Sequence, residues 1–564
     1  MGTHGRGLQP LVVEVLGAWA RNRHVALALG LTALLAPAPG AFAQRPALPD
    51  AVRAAADGIE ADQLARDLAF LSSDALLGRN TPSAGFDSAA AYIARRLAGA
   101  GITPLGDAGG FFQYYDLREQ HADTAAAFLE IGGRRFRFGD AFVLQSFAGP
   151  LSGTFAAVYV GHGWRVPAQG IDPYAGLDLS GKLLLAHGPP GPPRGIEVQR
   201  IGRVTVGATT PWAEARSRGA AGILFVGSAG ARAERDRARR ANLVRRELEP
   251  PVPSAYAAFP VTSVLVRPGV AKALLAGERL SAGELIRRAE AGEYAASFEL
   301  GKRVTVQIPV ASRAAYRPYS VVAMVEGSDP VLRNEYITIE SHLDGAVGRA
   351  AMDGDSIYNA ADDNATGSAA TLAVAERMMA APRPRRSLVF IWDSGEERGL
   401  WGTRRFVQQP PVPLASIVAH FNIDMIGASR APGSADSATA TVTGPNEVYL
   451  IGPGVLSARA DSLLARVNRG YLGMDFKRAY DRPDSEFFYP RTDAGPFLER
   501  GILTIGFFTG LHDRYHRPSD EARYLDPQKM ERIARTVFAA IWALANAEER
   551  PGIDKPIPAS VPRH

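Results

Sequence analysis

Between Tyr336 and Asp520 this chain carries two histidines, two aspartates and a glutamate pair that could hold metal, most of them just beyond an apolar, strand-like run. His342 lies in Ile339-Glu340-Ser341-His342-Leu343-Asp344, and Asp363 in Ala361-Asp362-Asp363-Asn364-Ala365-Thr366-Gly367. Glu396 and Glu397 follow Ser387-Leu388-Val389-Phe390-Ile391-Trp392-Asp393-Ser394-Gly395. Asp424 closes His420-Phe421-Asn422-Ile423-Asp424, and His516 stands in Tyr515-His516-Arg517-Pro518-Ser519-Asp520. Zinc accepts imidazole and carboxylate, and a catalytic site keeps one position open for water. Two ions need five protein ligands when one carboxylate bridges them, and a separation of roughly 3.5–4 Å is within a single carboxylate's span. The remaining carboxylate is then free to act as a base. The chemistry this set can do is metal-assisted hydrolysis.

Taken singly, each of these residues has a plainer reading. A lone histidine such as His342 is more often an ordinary structural residue, and only its place in the series changes that. Asp362, beside Asp363, reads as a solvated neighbour. His512 precedes His516 at the spacing of a helical pair, but Gly510 and Pro518 make the segment a loop, which leaves His512 a candidate for touching substrate. His420 reads as a strand residue, and Asp484 and Glu486 as surface charges.

The elements that must position these groups alternate. Runs at 336–341, 387–392, 416–423 and 503–508 read as buried strands, 367–379 as an Ala-rich helix and 526–547 as a long closing helix. Strands alternating with helices predict an α/β fold, a mixed and mostly parallel sheet flanked by helices. Ligands of such sheets bind beyond the carboxyl ends of the strands, where His342, Glu396, Glu397, Asp424 and the 510–516 loop all fall. Upstream, 64–71 and 89–97 have helical spacing. Residues 145–300 change character, with short β-like runs at 154–160, 182–187, 222–226 and 261–266 between Gly/Pro turns, and 188–193 reads as a surface loop.

On these motifs the chain resembles the di-zinc exopeptidases that include secreted bacterial leucyl-type aminopeptidases and glutamate carboxypeptidase II, together with the transferrin receptor and animal glutaminyl cyclase. The resemblance rests on His342-x-Asp344, on 360–367 around Asp363, on Gly395-Glu396-Glu397, on Asn422-x-Asp424-Met425 and on Tyr515-His516-x-Pro518-x-Asp520, in that order. Residues 353–359 also resemble bacterial members. It implies two Zn2+ per chain, one held by His342 and Asp424, the other by Glu397 and His516. Asp363 would bridge them, with a cis peptide bond after it. It implies that Asp344 orients His342, and that Glu396 takes a proton from the metal-activated water and delivers it to the leaving amine. Tyr515 is the first candidate for the hydrogen-bond donor to the oxyanion, Tyr489 the second. Residues 161–163, 177–182 and 215–222 resemble a protease-associated domain. The implied organisation is a signal peptide (1–43), a first part of the peptidase domain (47–145), a β-rich protease-associated insertion (146–302), the second part (303–550) and a flexible tail (551–564).

Two departures stand out. Thr492-Asp493-Ala494 replaces the Ser-Asp-His of many members, and Glu340-Ser341 precedes His342 where small residues are usual. Both bear on substrate preference more than on activity.

The bulk properties fit an exported peptidase. A basic patch at Arg21, Arg23 and His24, an uncharged run to Leu35 and Ala41-Phe42-Ala43 read as a secretory signal cleaved after Ala43, so the mature chain is expected in the periplasm or medium without stable membrane insertion. A formal charge of +5 over 564 residues implies no nucleic-acid partner. The densest basic stretch, 232–246, lacks interleaved aromatics and reads as a solvated helix or loop. The absence of Cys excludes disulfides and thiol chemistry. The expected function is removal of N-terminal residues from peptide substrates, with the oligomeric state left open. The rivals are a carboxypeptidase reading acidic C-termini through Arg491 and Arg517, and an inactive binding protein on the same scaffold. Intact ligands and Glu396 disfavour the last.

Overall fold

The computed structural model describes residues 48–561 apart from 189–191, 193–195, 197–198, 202–203, 227–242, 252–260, 346–350, 437–438, 486 and 490. The expected signal peptide, most of the 188–193 segment and most of the 232–246 basic stretch lie outside the described residues.

Apolar runs such as Ser387–Asp393 and Ile417–Ile423, buried at every position, are what a sheet covered on both faces requires. They join a nine-stranded sheet. Its centre is four adjacent parallel strands in the order Ser387–Asp393, Tyr336–His342, Ile417–Ile423, Leu503–Phe508. Tyr319–Val325 flanks them antiparallel on one side and Glu447–Ile451 on the other. Helices Ala61–Leu71, Ala84–Gly99, Gly367–Ala380 and Pro527–Ala545 contribute to the main core, which includes Leu64, Ile93, Leu372 and Phe538. The expected mixed α/β architecture is present, and the expected strands and helices appear within a few residues of their anticipated bounds.

A second sheet of eight strands contains Phe128–Ile131, Arg134–Arg137, Phe142–Ser146 and Leu151–Tyr159 and ends with Phe298–Ile308. The break anticipated at 146 is therefore displaced. Phe128–Ile131 and Arg134–Arg137 form a hairpin paired to Phe298–Ile308, so 128–146 go with the second sheet. A third sheet joins Val244–Glu249, Asp116–Ala122 and Tyr316's strand Val310–Tyr316. The described end of the basic stretch is thus a strand, not a helix or loop; Arg246 pairs with Glu119 across it.

The expected flexible tail is also corrected. Asp554 accepts hydrogen bonds from Ala458 N (2.7 Å), Arg459 N (3.1 Å) and Ser457 Oγ (2.9 Å), at the start of helix Ala458–Arg469. Val561 is buried against the main core.

Candidate active site

The carboxyl ends of the four parallel strands gather the ligand candidates. His342 is the last residue of its strand and Asp424 the first beyond its own. Glu397 sits in the turn after Ser387–Asp393, and His516 in the loop after Leu503–Phe508. Asp363 lies in the turn before helix Gly367–Ala380, and the Asp363–Asn364 peptide bond is cis, as the resemblance implied. Asn364 fastens this turn to the Asp424 strand: its Nδ2 donates to Ile423 O (2.9 Å), and its Oδ1 accepts from Met425 N (3.2 Å) and Gly367 N (2.9 Å). A Cβ at Gly367 would lie 2.2 Å from Ile423 O, so only glycine allows the approach.

Two ligand groups result, and they share Asp363. His342 Nε2 lies 3.1 Å from Asp363 Oδ1 and 3.5 Å from Asp424 Oδ1. His516 Nε2 lies 2.8 Å from Asp363 Oδ2 and 2.9 Å from Glu397 Oε1. Two donors each about 2.05 Å from a tetrahedral zinc are about 3.3 Å apart, so the spacing fits that ion. His342 Nε2, Asp424 Oδ1, Glu397 Oε1 and His516 Nε2 are all buried without a hydrogen-bond partner among the described residues, a state that calls for an unseen ligand. The carboxylates outweigh burial and raise both imidazoles, His516 to about 9. In return the two histidines, against burial, hold Asp363 well below its usual range. The pocket is electrostatically shaped for positive charge.

Asp344 holds His342 through its main chain and not its carboxylate. His342 Nδ1 donates to the main-chain oxygen of Asp344 at 2.9 Å, while the carboxylate is 3.9 Å away. Asp344 Oδ1 instead accepts from Gly395 N (2.8 Å) and Glu396 N (3.1 Å), fixing the turn that carries Glu396. Burial, reinforced by Glu397 among its acidic neighbours, pushes Glu396 well above the ordinary carboxylate range.

Glu396, Asp363 and Asp424 open on a cleft with about 630 Å³ of empty space, the open solvent at its mouth included, and Tyr515 and Arg491 stand on its wall. The Tyr515 ring stacks on His516 with centroids 3.8 Å apart. Arg491 Nη2 donates to Tyr515 Oη at 2.5 Å, leaving the phenol proton free to point elsewhere. Tyr489 does not join them: its hydroxyl donates to Glu499 Oε1 (2.7 Å). His512 faces Asp362 Oδ2 (3.2 Å) and is not on the cavity wall; Arg517 is exposed.

Several supporting residues were not legible. Asp362 is fully buried rather than solvated, and its Oδ1 accepts from Gly427 N (2.8 Å). Asp520, which the sequence placed in a motif without a role, accepts from the backbone N–H groups of Asp362 (3.0 Å) and Asp363 (3.3 Å). Behind the site Glu340, Asp393 and Asp493 converge on Thr403 Oγ1 at 2.8, 3.2 and 2.5 Å. Burial raises all three, Glu340 to about 8. A hydroxyl donates once and accepts twice, so three hydrogen bonds there require two of these carboxyls to be protonated. Glu340 is one of the two sequence departures, and its other oxygen lies 3.2 Å from His420 Nε2.

Residues 320–541 match the model of peptidase family M28. A probable zinc metalloprotease of Pyrenophora tritici-repentis is 27% identical over 263 residues, covering 41% of this chain and 58% of that protein. Leupeptin-inactivating enzyme 1 of Streptomyces exfoliatus is 26% identical over 249 residues, covering 40% and 48%. The chain thus spans about half the length of these two curated relatives. The solved structure of an aminopeptidase from Aneurinibacillus sp. strain AM-1 aligns over 91% of this chain and 100% of that one, at 19% identity and a TM-score of 0.48. The stretch that matches this family model, 320–541, holds all five ligand candidates and Glu396.

Proposed function

We propose that this chain is an exported aminopeptidase that removes N-terminal residues from peptides with two zinc ions, Glu396 acting as general base. The observation that carries the reading is Asp363, whose two oxygens each face a different histidine, at 3.1 and 2.8 Å. His342, Asp363 and Asp424 would hold one ion, and Asp363, Glu397 and His516 the other. Zinc bound there supplies a Lewis acid for the scissile carbonyl and lowers the pKa of water toward neutrality.

The side chains do the rest. Glu396, raised by burial, takes a proton from the attacking water and passes it to the leaving amine. Tyr515 donates its phenol proton to the carbonyl oxygen as charge develops there, and Arg491 holds the phenol oxygen in place. Met425, Ile451, Phe487, Phe508 and Leu511 on the cavity wall suit an apolar first side chain.

The carboxypeptidase alternative is less well supported. Arg491 is the one cationic residue on the described cavity wall and is committed to Tyr515, while Arg517 is exposed. Export rests on the basic, apolar and small-residue pattern before residue 44. Among the described residues no helix is long and apolar enough to cross a membrane. The 128–308 strand body is taken as the protease-associated insertion, acting in substrate access or protein contact.

The test is hydrolysis of aminoacyl p-nitroanilides beside their N-acetylated counterparts, with and without chelator, by the mature chain and by Glu396→Ala. The reading predicts chelator-sensitive cleavage of the free-amine series alone, lost in the variant. Cleavage of the blocked series at a comparable rate would rule it out.

A further inference from the structure

Arg79 is fully buried, yet among the described residues no carboxylate touches its guanidinium. It stands in the loop between helices Ala61–Leu71 and Ala84–Gly99, far outside the residues that match the family. Its Nε donates to Leu343 O at 2.9 Å, the carbonyl between His342 and Asp344. Nη1 donates to Asn359 O and Nη2 to Ala360 O, each at 2.9 Å, on the approach to Asp363. A second Nη1 bond returns to Leu71 O in its own segment. We propose that Arg79 is a positioning residue for the metal centre: one guanidinium, supplied by the N-terminal segment, locks the strand end of His342 and the turn of Asp363 together.

The proposal rests on the two-zinc reading and adds to it a residue that touches neither ligand. His342 and Asp363 belong to the same ligand group but come from a strand end and a separate turn, and a working site tolerates only about 0.5 Å of drift between such groups. The fork of five N–H donors can bridge carbonyls of both segments in one plane, whereas a lysine has a single nitrogen. The contact is reciprocal. Asn359 Nδ2 donates to Ser72 O (2.8 Å) and Asp74 Oδ1 (2.7 Å), so the Asp363 loop also grips the Arg79 loop. Gly78, at φ +77°, lets the two backbones meet: a Cβ there would lie 2.3 Å from Tyr358 O. The acids whose charge reaches Arg79 are Asp344, Asp520 and Asp363, all of them around the site. Burial outweighs them and pushes the guanidinium down to about 10, so it remains a cation at neutral pH.

The test compares zinc affinity, by competition with a chromophoric chelator, in the full chain, in Arg79→Lys and in Arg386→Lys. Arg386 is the control. It is also buried and also donates to main-chain carbonyls, Ala545 O (3.4 Å) and Ala547 O (2.6 Å), but it precedes strand Ser387–Asp393 at the opposite end from the site. Arg79→Lys is expected to weaken zinc binding tenfold or more and to shift the visible bands of the cobalt-loaded protein. Arg386→Lys is expected to lower the melting temperature with affinity unchanged within twofold. Equal zinc affinity in both variants would overturn the proposal. Should Arg79→Lys not fold, hydrogen exchange on the unmodified chain decides, because coupling between loop and metal must be reciprocal. Zinc is then expected to slow exchange across 71–80 as well as 359–366, and no change in 71–80 would overturn the proposal. An unmodified chain that binds no zinc would instead sink the two-zinc reading, before any variant is made.

Discussion

Replacing Tyr515 by phenylalanine deletes one hydroxyl and keeps the ring that stacks on His516 at 3.8 Å. Arg491 donates to the phenol oxygen, so the proton of that oxygen is available to the substrate. Burial also raises the phenol well above its ordinary range, which keeps the proton on it. Loss of one preorganised oxyanion donor costs about 10²–10³ in kcat, or about 2.7–4 kcal/mol of transition-state stabilisation. The bond forms chiefly in the transition state, so KM should change little. A separate cost falls on the fold, since Arg491 loses an acceptor, worth about 1–3 kcal/mol. The assay is steady-state hydrolysis of leucyl p-nitroanilide at saturating zinc, with metal content measured on the same sample. Tyr489→Phe is the control: its hydroxyl serves Glu499, so kcat should stay within twofold. A Tyr515→Phe enzyme with full zinc and kcat within threefold of the parent would refute the assignment. A large loss in Tyr489→Phe would move the donor role there.

Two further predictions concern the fold. Asp554→Ala removes the acceptor for Ala458 N and Arg459 N and should cost about 0.5–2 kcal/mol in chemical denaturation, the range for a lost helix cap. Although partial burial opposes it, those N–H groups hold the Asp554 carboxyl down to about 2. Its contribution is therefore complete above the unfolded carboxylate range near ~4 and fades as pH falls from there through about 2; the stability difference between parent and variant should shrink over that window. Lys529 is fully buried, with Nζ donating to Ala428 O (2.7 Å) and Thr443 O (2.8 Å), and burial pushes it down to about 7. Between that value and the ordinary lysine range the unfolded chain binds the extra proton, so stability should rise with pH by up to about 1.4 kcal/mol per unit from this group. Lys529→Met should flatten that slope in denaturation curves taken from pH 7 to 10, and an unchanged slope would contradict the account.

How far the sequence could be read follows from where each interaction lives. Strand Ser387–Asp393 is buried at all seven positions, so its apolar run announced it, and the ordered motifs at strand ends placed His342, Glu397, Asp424 and His516. Asp362 was misread because its partners Gly427 and His512 lie 65 and 150 residues away, and no local pattern distinguishes a buried aspartate from an exposed one. Arg79 left no signal for the same reason: its acceptors at 343, 359 and 360 are more than 260 residues distant. The direction of a side chain from a loop was equally hidden, so Tyr515 and Tyr489 could only be ranked, and the structure shows Tyr489 facing Glu499. The displaced domain break did have a signal. Phe128–Ile131, Gly132-Gly133 and Arg134–Arg137 are two strands about a two-glycine turn, a hairpin pattern that ties them to Phe298–Ile308. The docking of the tail was not visible either, because Asp554 caps a helix almost a hundred residues upstream.

The central claim is a pair of cations joined by Asp363, and zinc titration of the metal-free chain by calorimetry tests it most directly. The account predicts two equivalents in the parent, one in His342→Ala and a different one in His516→Ala, with both weakened in Asp363→Ala. A single equivalent in the parent, or the same remaining site in both histidine variants, would contradict it.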